Sequence, residues 1–235
     1  MRRIPTYIPG LDSQIAGGPP EGSMILVRGE PGTGKTILVL QSIYSAALQG
    51  EPGIYFTFDE TPQNLAWYSA TFGWNIGALQ QEKRFYIYYL SESEYERFRP
   101  ERVDTLKQRL EYIIKSTGAK RVAIDSMTTI SHYLVNALGL STELQLRSAI
   151  LPVVKALNDL AKSLNILLYL VIHPSDPGAP VYEALSDGVF DLVYYKDIGG
   201  ITQRGLRITK LRSTKHPLDI IGVWVGKEGL ELETL

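Results

Sequence analysis

A glycine-rich octapeptide near the amino end has the residue types and spacing that hold phosphate groups. Residues 29–36 match the pattern G-x-x-x-x-G-K-[ST] at every fixed position. The glycines let successive backbone N–H groups point inward around an anion, and the helix that follows adds its positive dipole end. Lys35 would supply a cation to the β- and γ-phosphates, and the Thr36 hydroxyl would bind Mg²⁺. The pattern predicts a nucleotide site formed by Gly29, Glu30, Pro31, Gly32, Thr33, Gly34, Lys35, Thr36 and Ile37.

The alternative for this octapeptide is a glycine-rich turn that fits the pattern by chance. Its surroundings argue against that alternative. Residues 24–27 are an apolar run that predicts a strand entering the loop, and residues 37–40 continue as the start of a predicted helix. Strand, loop and helix in this order are the context in which the pattern binds phosphates.

An acidic residue ends a second apolar run, Arg121–Asp125. A buried strand that ends in Asp downstream of a phosphate loop is the pattern that holds Mg²⁺, usually through water. Asp125 is therefore predicted to bind the metal together with Thr36. The alternative is that Asp125 caps the helix that follows.

Two adjacent acids, Asp59 and Glu60, follow the predicted strand Ile54–Phe58. The carboxyl ends of strands are where α/β sheets bind ligands, so one acid could orient and deprotonate an attacking water. Because side chains alternate along an extended segment, we expect only one of the two to face the γ-phosphate. As the start of a helix, the same acids would complement its dipole, and both interpretations can hold together.

The elements that position these residues alternate between strand and helix. Short β-branched and aromatic runs predict strands over Met24–Arg28, Ile54–Phe58, Phe85–Leu90, Arg121–Asp125, Ile166–Ile172 and Leu192–Lys196. Helical spacing predicts helices over Thr36–Gln49, Thr61–Phe72, Arg102–Lys115 and Thr142–Leu164. Nearly continuous apolar strands are typical of a parallel sheet covered on both faces. We therefore predict an α/β fold with a mostly parallel central sheet flanked by helices.

Three segments refine this prediction. Pro152 within Thr142–Leu164 predicts either a kink or a helix that begins near the proline. The charged segment Ser91–Arg102 is interpreted as a surface excursion rather than a domain boundary. Glycines separate apolar runs over the last fifty or so residues, which predicts antiparallel strands and a β-rich end. Residues 1–235 are expected to form one domain.

Composition excludes several classes of protein. The formal net charge is −1, so the whole molecule has no electrostatic attraction to nucleic acid. Cysteine is absent, which excludes a disulfide framework and a Cys zinc site. No segment approaches the roughly 18 apolar residues of a membrane span, and no apolar run follows the two arginines at the start. We expect a cytoplasmic protein without a membrane partner.

Taken together, these residues resemble the KaiC/RecA/RadA superfamily of ATPases, and within it the KaiC-like proteins. The resemblance covers nearly the whole chain, and its most specific parts are residues 52–62 and the Lys-Leu-Arg-x-Thr-x-His segment at 210–216. It implies a RecA-like P-loop core that binds ATP or ADP with Mg²⁺ at subunit interfaces. It also implies assembly side by side, often as a ring of six. Hydrolysis would drive assembly or a signalling change read by an unknown client protein.

The resemblance also bears on the catalytic base. In such proteins the first acid of a Glu-Glu pair is usually the base, and Asp59 stands at that position with Glu60 second. Asp59 is shorter by one methylene, so the assignment stays open between the two acids.

The segment Gly205–His216 carries cations at alternate positions. If it is extended, Lys210, Arg212, Thr214 and His216 project from one face. The alternative is an ordinary solvent-facing strand. The resemblance favours a second interpretation, in which Lys210, Arg212 and His216 contact the triphosphate of the neighbouring subunit, as arginine fingers do.

A DNA-binding RadA paralogue is the alternative function. RecA-like recombinases bind single strands through two loops, which should fall near Thr128–Ser141 and Pro174–Gly188. Neither segment contains Lys or Arg. Single-strand binding normally uses a cationic groove, so single-stranded DNA is a disfavoured partner.

Overall fold

The computed structural model describes residues 2–233, and this part of the chain forms one nine-stranded sheet. The strands are β1 Met24–Gly29, β2 Gly53–Thr57, β3 Phe85–Tyr89, β4 Arg121–Asp125, β5 Leu167–Ile172, β6 Gly188–Lys196, β7 Thr202–Leu211, β8 Ile221–Gly226 and β9 Gly229–Leu232. Their order across the sheet is β3-β2-β4-β5-β1-β6-β7-β8-β9. The six strands from β3 to β6 are parallel, and β7, β8 and β9 continue the sheet antiparallel.

Helices cover the sheet. They are α1 Leu11–Gln14, α2 Lys35–Leu48, α3 Pro62–Ala70, α4 Ile76–Gln81, α5 Glu92–Tyr95, α6 Val103–Thr117, α7 Met127–Leu138, α8 Glu143–Leu164 and α9 Ala179–Leu185. In the described part of the chain, none of them is both long and apolar enough to cross a membrane.

Alternation along the strands divides the interior into two cores. On β1, Ile25 and Val27 face the core shared with α2, α3 and α4, whereas Met24 and Leu26 face the core shared with α6, α7, α8 and α9. All four side chains are fully buried. A strand that is apolar on both faces must be covered on both, which accounts for the continuous apolar runs of the parallel strands. The predicted α/β architecture with an antiparallel end is confirmed.

The predicted strands match the observed ones closely except at β6, which begins at Gly188 rather than Leu192. The helix α8 also differs from one expectation. It begins at Glu143, where Thr142 and Gln145 form a capping box, and it continues through Pro152 to Leu164. A helix start near Pro152 is therefore wrong, because the capping box already satisfies the first turn.

The segment Ser91–Arg102, predicted as a surface excursion, contains short helical turns. It forms α5 and two 3₁₀ turns, Glu96–Phe98 and Pro100–Arg102, and its Tyr95 and Phe98 side chains are buried. Both rings pack edge-on against Phe58, with ring centroids 5.4 Å away in each pair. The predicted surface excursion is therefore anchored to the core by these two aromatic rings.

Helices occupy part of the two segments in which RecA-like recombinases would have DNA-binding loops. Residues 127–138 form α7 and residues 179–185 form α9. Met127, Ile130 and Leu134 of α7 are buried in the core, which holds that helix against the sheet. These helices thus lie where the recombinase alternative would have its DNA-binding loops.

Candidate functional site

The octapeptide connects the middle of the sheet to a helix. Gly29 is the last residue of β1, which pairs with β5 on one side and β6 on the other, and α2 begins at Lys35. Gly32 and Gly34 have φ angles of 78° and 107°, which side chains with a Cβ rarely adopt. The loop thus lies at the carboxyl edge of the parallel strands, where open α/β sheets bind ligands.

Polar side chains contact the carbonyls of this loop. Thr33 Oγ1 donates to the Glu30 carbonyl at 2.8 Å, and Lys35 Nζ donates to the carbonyls of Gly29 at 2.7 Å and Glu30 at 3.1 Å. Burial lowers the pKa of Lys35, while the carboxylates of Asp125 and Glu30 favour its charged form. The four-carbon side chain can turn its ammonium group toward an anion held at the amino end of α2.

Thr36 and Asp125 come together at the carboxyl edge of the sheet. Thr36 Oγ1 donates to Asp125 Oδ2 at 2.9 Å, and the Tyr55 hydroxyl donates to the same oxygen. Burial raises the pKa of Asp125, whereas these two hydrogen bonds favour its ionised form.

This pair of oxygens fits a magnesium ion. Mg²⁺ takes oxygen ligands, uses only one or two carboxylates and completes its shell with phosphate oxygens and water. A hydroxyl and a carboxylate already in contact supply that donor set. Within residues 2–233, no three His, Cys, Asp or Glu side chains group into a separate metal centre.

The two adjacent acids turn to different partners. Asp59 accepts hydrogen bonds from Thr129 Oγ1 at 2.8 and 3.0 Å and from Ser126 Oγ at 3.2 Å. Glu60 accepts one from Asn64 Nδ2 at 3.2 Å and lies on the wall of the cleft above the phosphate loop. The structure therefore brings Glu60 to the cleft and leaves Asp59 beside the start of α7.

The cleft has a volume of about 530 Å³, within the range of sites for small molecules. One wall belongs to the loop and α2, and it is formed by Gly32, Gly34, Lys35, Thr36 and Ile37. The other wall belongs mainly to α3, and it is formed by Glu60, Asn64, Leu65, Trp67 and Tyr68. Four residues of the predicted octapeptide site belong to the loop but do not line the cleft, namely Gly29, Glu30, Pro31 and Thr33.

Lys210, Arg212, Thr214 and His216 do not share one extended face. The strand β7 ends at Leu211, and the chain then turns, with Ser213 at a left-handed φ of 57°. His216 lies in the irregular segment beyond the turn, where its Nδ1 donates to the Pro217 carbonyl at 3.0 Å. The expectation of a common strand face is wrong, because the turn ends the alternation after Leu211.

The cations of this segment hold the end of α9. Lys210 Nζ donates to the Glu183 carbonyl at 2.8 Å, and Arg212 pairs with Asp187 at 3.4 Å. Burial lowers the pKa of Lys210, and the Arg212 charge lowers it further. These side chains therefore have structural partners within the chain, at a helix carboxyl end, where cations are favoured.

This cationic segment lies near the amino ends of the parallel strands, whereas the phosphate loop lies at their carboxyl ends. Leu211 pairs with Gly188, which in turn pairs with Ile25 near the amino end of β1. Ile25 and Gly29 are four residues apart, roughly 13 Å along a strand. The register thus keeps Lys210 and Arg212 away from the octapeptide of the same chain.

Two residues of the antiparallel extension contact the phosphate loop, and neither was predicted from the sequence. Arg204 Nε donates to the Gly32 carbonyl at 3.0 Å, and the Tyr194 hydroxyl donates to the Pro31 carbonyl at 3.4 Å. The two are direct cross-strand partners of β6 and β7. Only the register of this hairpin brings them to the loop, so no local pattern could have identified them.

His173 is a further residue that the sequence prediction missed. It follows β5, and its Nε2 lies 3.0 Å from Glu30 Oε2 while its Nδ1 lies 2.6 Å from Ser175 Oγ. Its position just past the predicted strand Ile166–Ile172 was the available signal, because the ends of parallel strands meet at one edge.

Comparisons with known proteins agree with this geometry. Residues 4–234 match the family described as "ATPase: KaiC". A UPF0273 protein of Thermotoga maritima is 31% identical over 227 residues, which cover 93% of this chain and 90% of that protein. A UPF0273 protein of Pyrococcus furiosus is 30% identical over 234 residues, covering 94% and 91%. The crystal structure of a KaiC-like protein from Pyrococcus horikoshii superposes with a TM-score of 0.79 at 29% identity, over 99% of both chains.

Proposed function

Because the chain belongs to the KaiC family of ATPases, we propose that it is a Mg²⁺-dependent ATPase built as one domain over residues 1–235. The contact between Thr36 Oγ1 and Asp125 Oδ2, at 2.9 Å, carries this proposal. It joins the end of the phosphate loop to the strand that ends in an acid, which are the two parts that hold a metal–nucleotide complex.

The loop and its lysine would bind the nucleotide. Backbone amides at the start of α2 would face the phosphates, and Lys35 would leave its carbonyl partners to reach the β- and γ-phosphates. Thr36 and Asp125 would hold the ion, which when bound neutralises charge on the phosphate oxygens. ADP would occupy the same loop after hydrolysis.

We assign the catalytic base to Glu60. It lies on the cleft wall and accepts a single hydrogen bond, whereas hydrogen bonds from two hydroxyls hold Asp59 beside the start of α7. Water attacks the γ-phosphorus, the bond to the β–γ bridging oxygen breaks, and the electron pair leaves with ADP. Glu60 takes the proton of the water, and Lys35 stabilises the charge that develops on the phosphate.

Assembly into a homo-oligomeric ring would complete the site. Lys210 and Arg212 lie at the opposite end of the strands from the loop, so these cations, together with His216, would serve the nucleotide of another subunit. Side-by-side subunits, in a ring of six as in related proteins, would place ATP at each interface.

We propose that hydrolysis drives a change in assembly or conformation, and that a client protein in the cytoplasm recognises this change. The alternative function, a DNA-binding RadA paralogue, is less well supported. The helices α7 and α9 contain no Lys or Arg that could contact a DNA backbone.

Nucleotide binding and phosphate release test this function directly. Calorimetry with ATP and Mg²⁺ should show binding to the parent protein, and a phosphate assay should show turnover. Lys35→Ala should weaken ATP binding by on the order of 100-fold, because charge-assisted hydrogen bonds to phosphate are lost. Lys155→Ala, which removes an exposed lysine of α8, is the matched control and should bind normally. Absence of binding to the parent protein would overturn the proposal.

A further inference from the structure

The wall of the cleft that α3 provides changes from polar to aromatic along the helix. Glu60 and Asn64 lie nearest the end of β2, and Trp67 and Tyr68 lie one helical turn, about 5 Å, further along the chain than Asn64. Residues three and four apart share a helix face, so Asn64, Trp67 and Tyr68 face the same space. A polar end beside the phosphate loop is thus followed by an aromatic end.

The two aromatic residues differ in their support. Tyr68 is half-buried, and its ring packs edge-on against Phe72 at 5.4 Å, which in turn packs against Trp74 at 4.9 Å. Trp67 has 76% of its surface exposed, although it lies on the cleft wall. Within residues 2–233, its ring pairs with no other aromatic ring and its indole N–H donates no hydrogen bond.

We propose that the phosphate loop and Trp67 bind the same nucleotide, and that the Trp67 ring stacks on its nucleobase. Tyr68, which packs against Phe72, would lie beside the base. The inference rests on the proposed function and names its base-binding subsite. A base offers a flat π-surface, and stacking on an aromatic side chain is worth a severalfold to more than a hundredfold gain in affinity. Ile37 and Leu65 add apolar surface to the same cleft.

The order of groups along the cleft matches that of a nucleoside triphosphate. Lys35 and Thr36 lie at the phosphate end, and Trp67 lies beyond Asn64 on the opposite wall. Phosphates alone would reach the loop without touching the indole. Trp67 should therefore contribute to the binding of ATP and not to the binding of inorganic tripolyphosphate.

Calorimetric titration with these two ligands is the test. We expect Trp67→Ala to weaken ATP binding by on the order of 10-fold and to leave tripolyphosphate binding unchanged. Trp67→Phe keeps a π-surface and should stay within about threefold of the parent affinity for ATP. Tyr112→Ala removes an aromatic residue with a similar exposed fraction, 74%, on α6, and should change neither affinity.

Fluorescence and light scattering supply independent measurements. ATP should quench the emission of the parent protein, tripolyphosphate should not, and Trp67→Phe should abolish the response. Parent-like ATP affinity in Trp67→Ala, or an equal loss for both ligands, would overturn the stacking proposal alone. So would a changed assembly size with unchanged ATP affinity, which would place Trp67 between subunits. A parent protein that binds neither ligand would overturn this proposal together with the proposed function.

Discussion

Thr36 Oγ1 lies 2.9 Å from Asp125 Oδ2, although the strands that lead to these residues are not neighbours. β5 lies between β1 and β4, so the contact bridges across the end of that strand. The bridge is possible because the octapeptide carries the chain beyond the end of β1, so that Thr36 lies in the first turn of α2, above the sheet edge. Asp125 gains a second partner in Tyr55 of β2, which fixes its carboxylate from the other side.

Asp125→Asn should remove most of the effect of Mg²⁺ on ATP binding. The amide keeps the size of the side chain but loses its charge, so the gain in ATP affinity on adding Mg²⁺ should fall by on the order of 10-fold or more. Calorimetry with and without Mg²⁺ measures this gain. The exposed Asp104→Asn on α6 is the control. An unchanged magnesium effect in Asp125→Asn would contradict the metal assignment.

Glu60→Gln should lose turnover while it keeps ATP binding. Removal of a general base costs on the order of 100-fold or more in rate, and the glutamine can still contact Asn64. Asp59→Asn should slow hydrolysis much less, because its partners are Ser126 and Thr129. Single-turnover phosphate release separates the two variants. The reverse order of rates would assign the base to Asp59.

Arg204→Ala should weaken ATP binding by about fivefold. Its Nε is held by the Gly32 carbonyl, which leaves the guanidinium charge at the mouth of the cleft, and solvent exposure limits its contribution. Arg207→Ala is the matched control, because Arg207 lies three residues along the same strand and faces the opposite side. Equal affinities for both variants would show that Arg204 does not assist the nucleotide.

Mixed assemblies test whether cations act between subunits. Arg212→Ala and Lys35→Ala should each be inactive alone, since one lacks the contributed cation and the other cannot bind the phosphates. In a mixture, some interfaces join an intact loop to an intact Arg212, so ATPase activity should recover to a fraction of the parent rate. Phosphate release across mixing ratios measures it. No recovery at any ratio, with assembly verified by light scattering, would exclude contribution by Arg212.

Tyr169→Phe should flatten the loss of stability at alkaline pH. Burial raises the pKa of Tyr169 to about 12, so the native state favours the neutral phenol. Its contribution is therefore fully present below the unfolded pKa of about 10 and is lost as pH rises through 12, by about 2–3 kcal/mol. Urea unfolding between pH 9 and 12 checks this prediction, with the exposed Tyr112→Phe as control. Parallel pH profiles for Tyr169→Phe and the parent would contradict it.

Features that depend only on residues close together in the chain could be predicted from the sequence alone. The octapeptide needs only the spacing of Gly29, Gly34, Lys35 and Thr36, and its strand and helix follow from adjacent apolar residues. Asp125 could be located because it ends a buried strand of continuous apolar residues. Such signals are local, since backbone conformation, dipole and side-chain alternation are set by near neighbours along the chain.

Only the tertiary structure decided which distant residues reach the same cleft. Arg204 and Tyr194 contact the loop because β7 pairs with β6 in one particular register, and Trp67 faces it because α3 lies across from α2. The turn after Leu211 separates His216 from Lys210, although their spacing suggested a common face. Register and packing depend on the free energy gained when whole strands and helices bury their apolar surface. This free energy cannot be predicted from any single short segment.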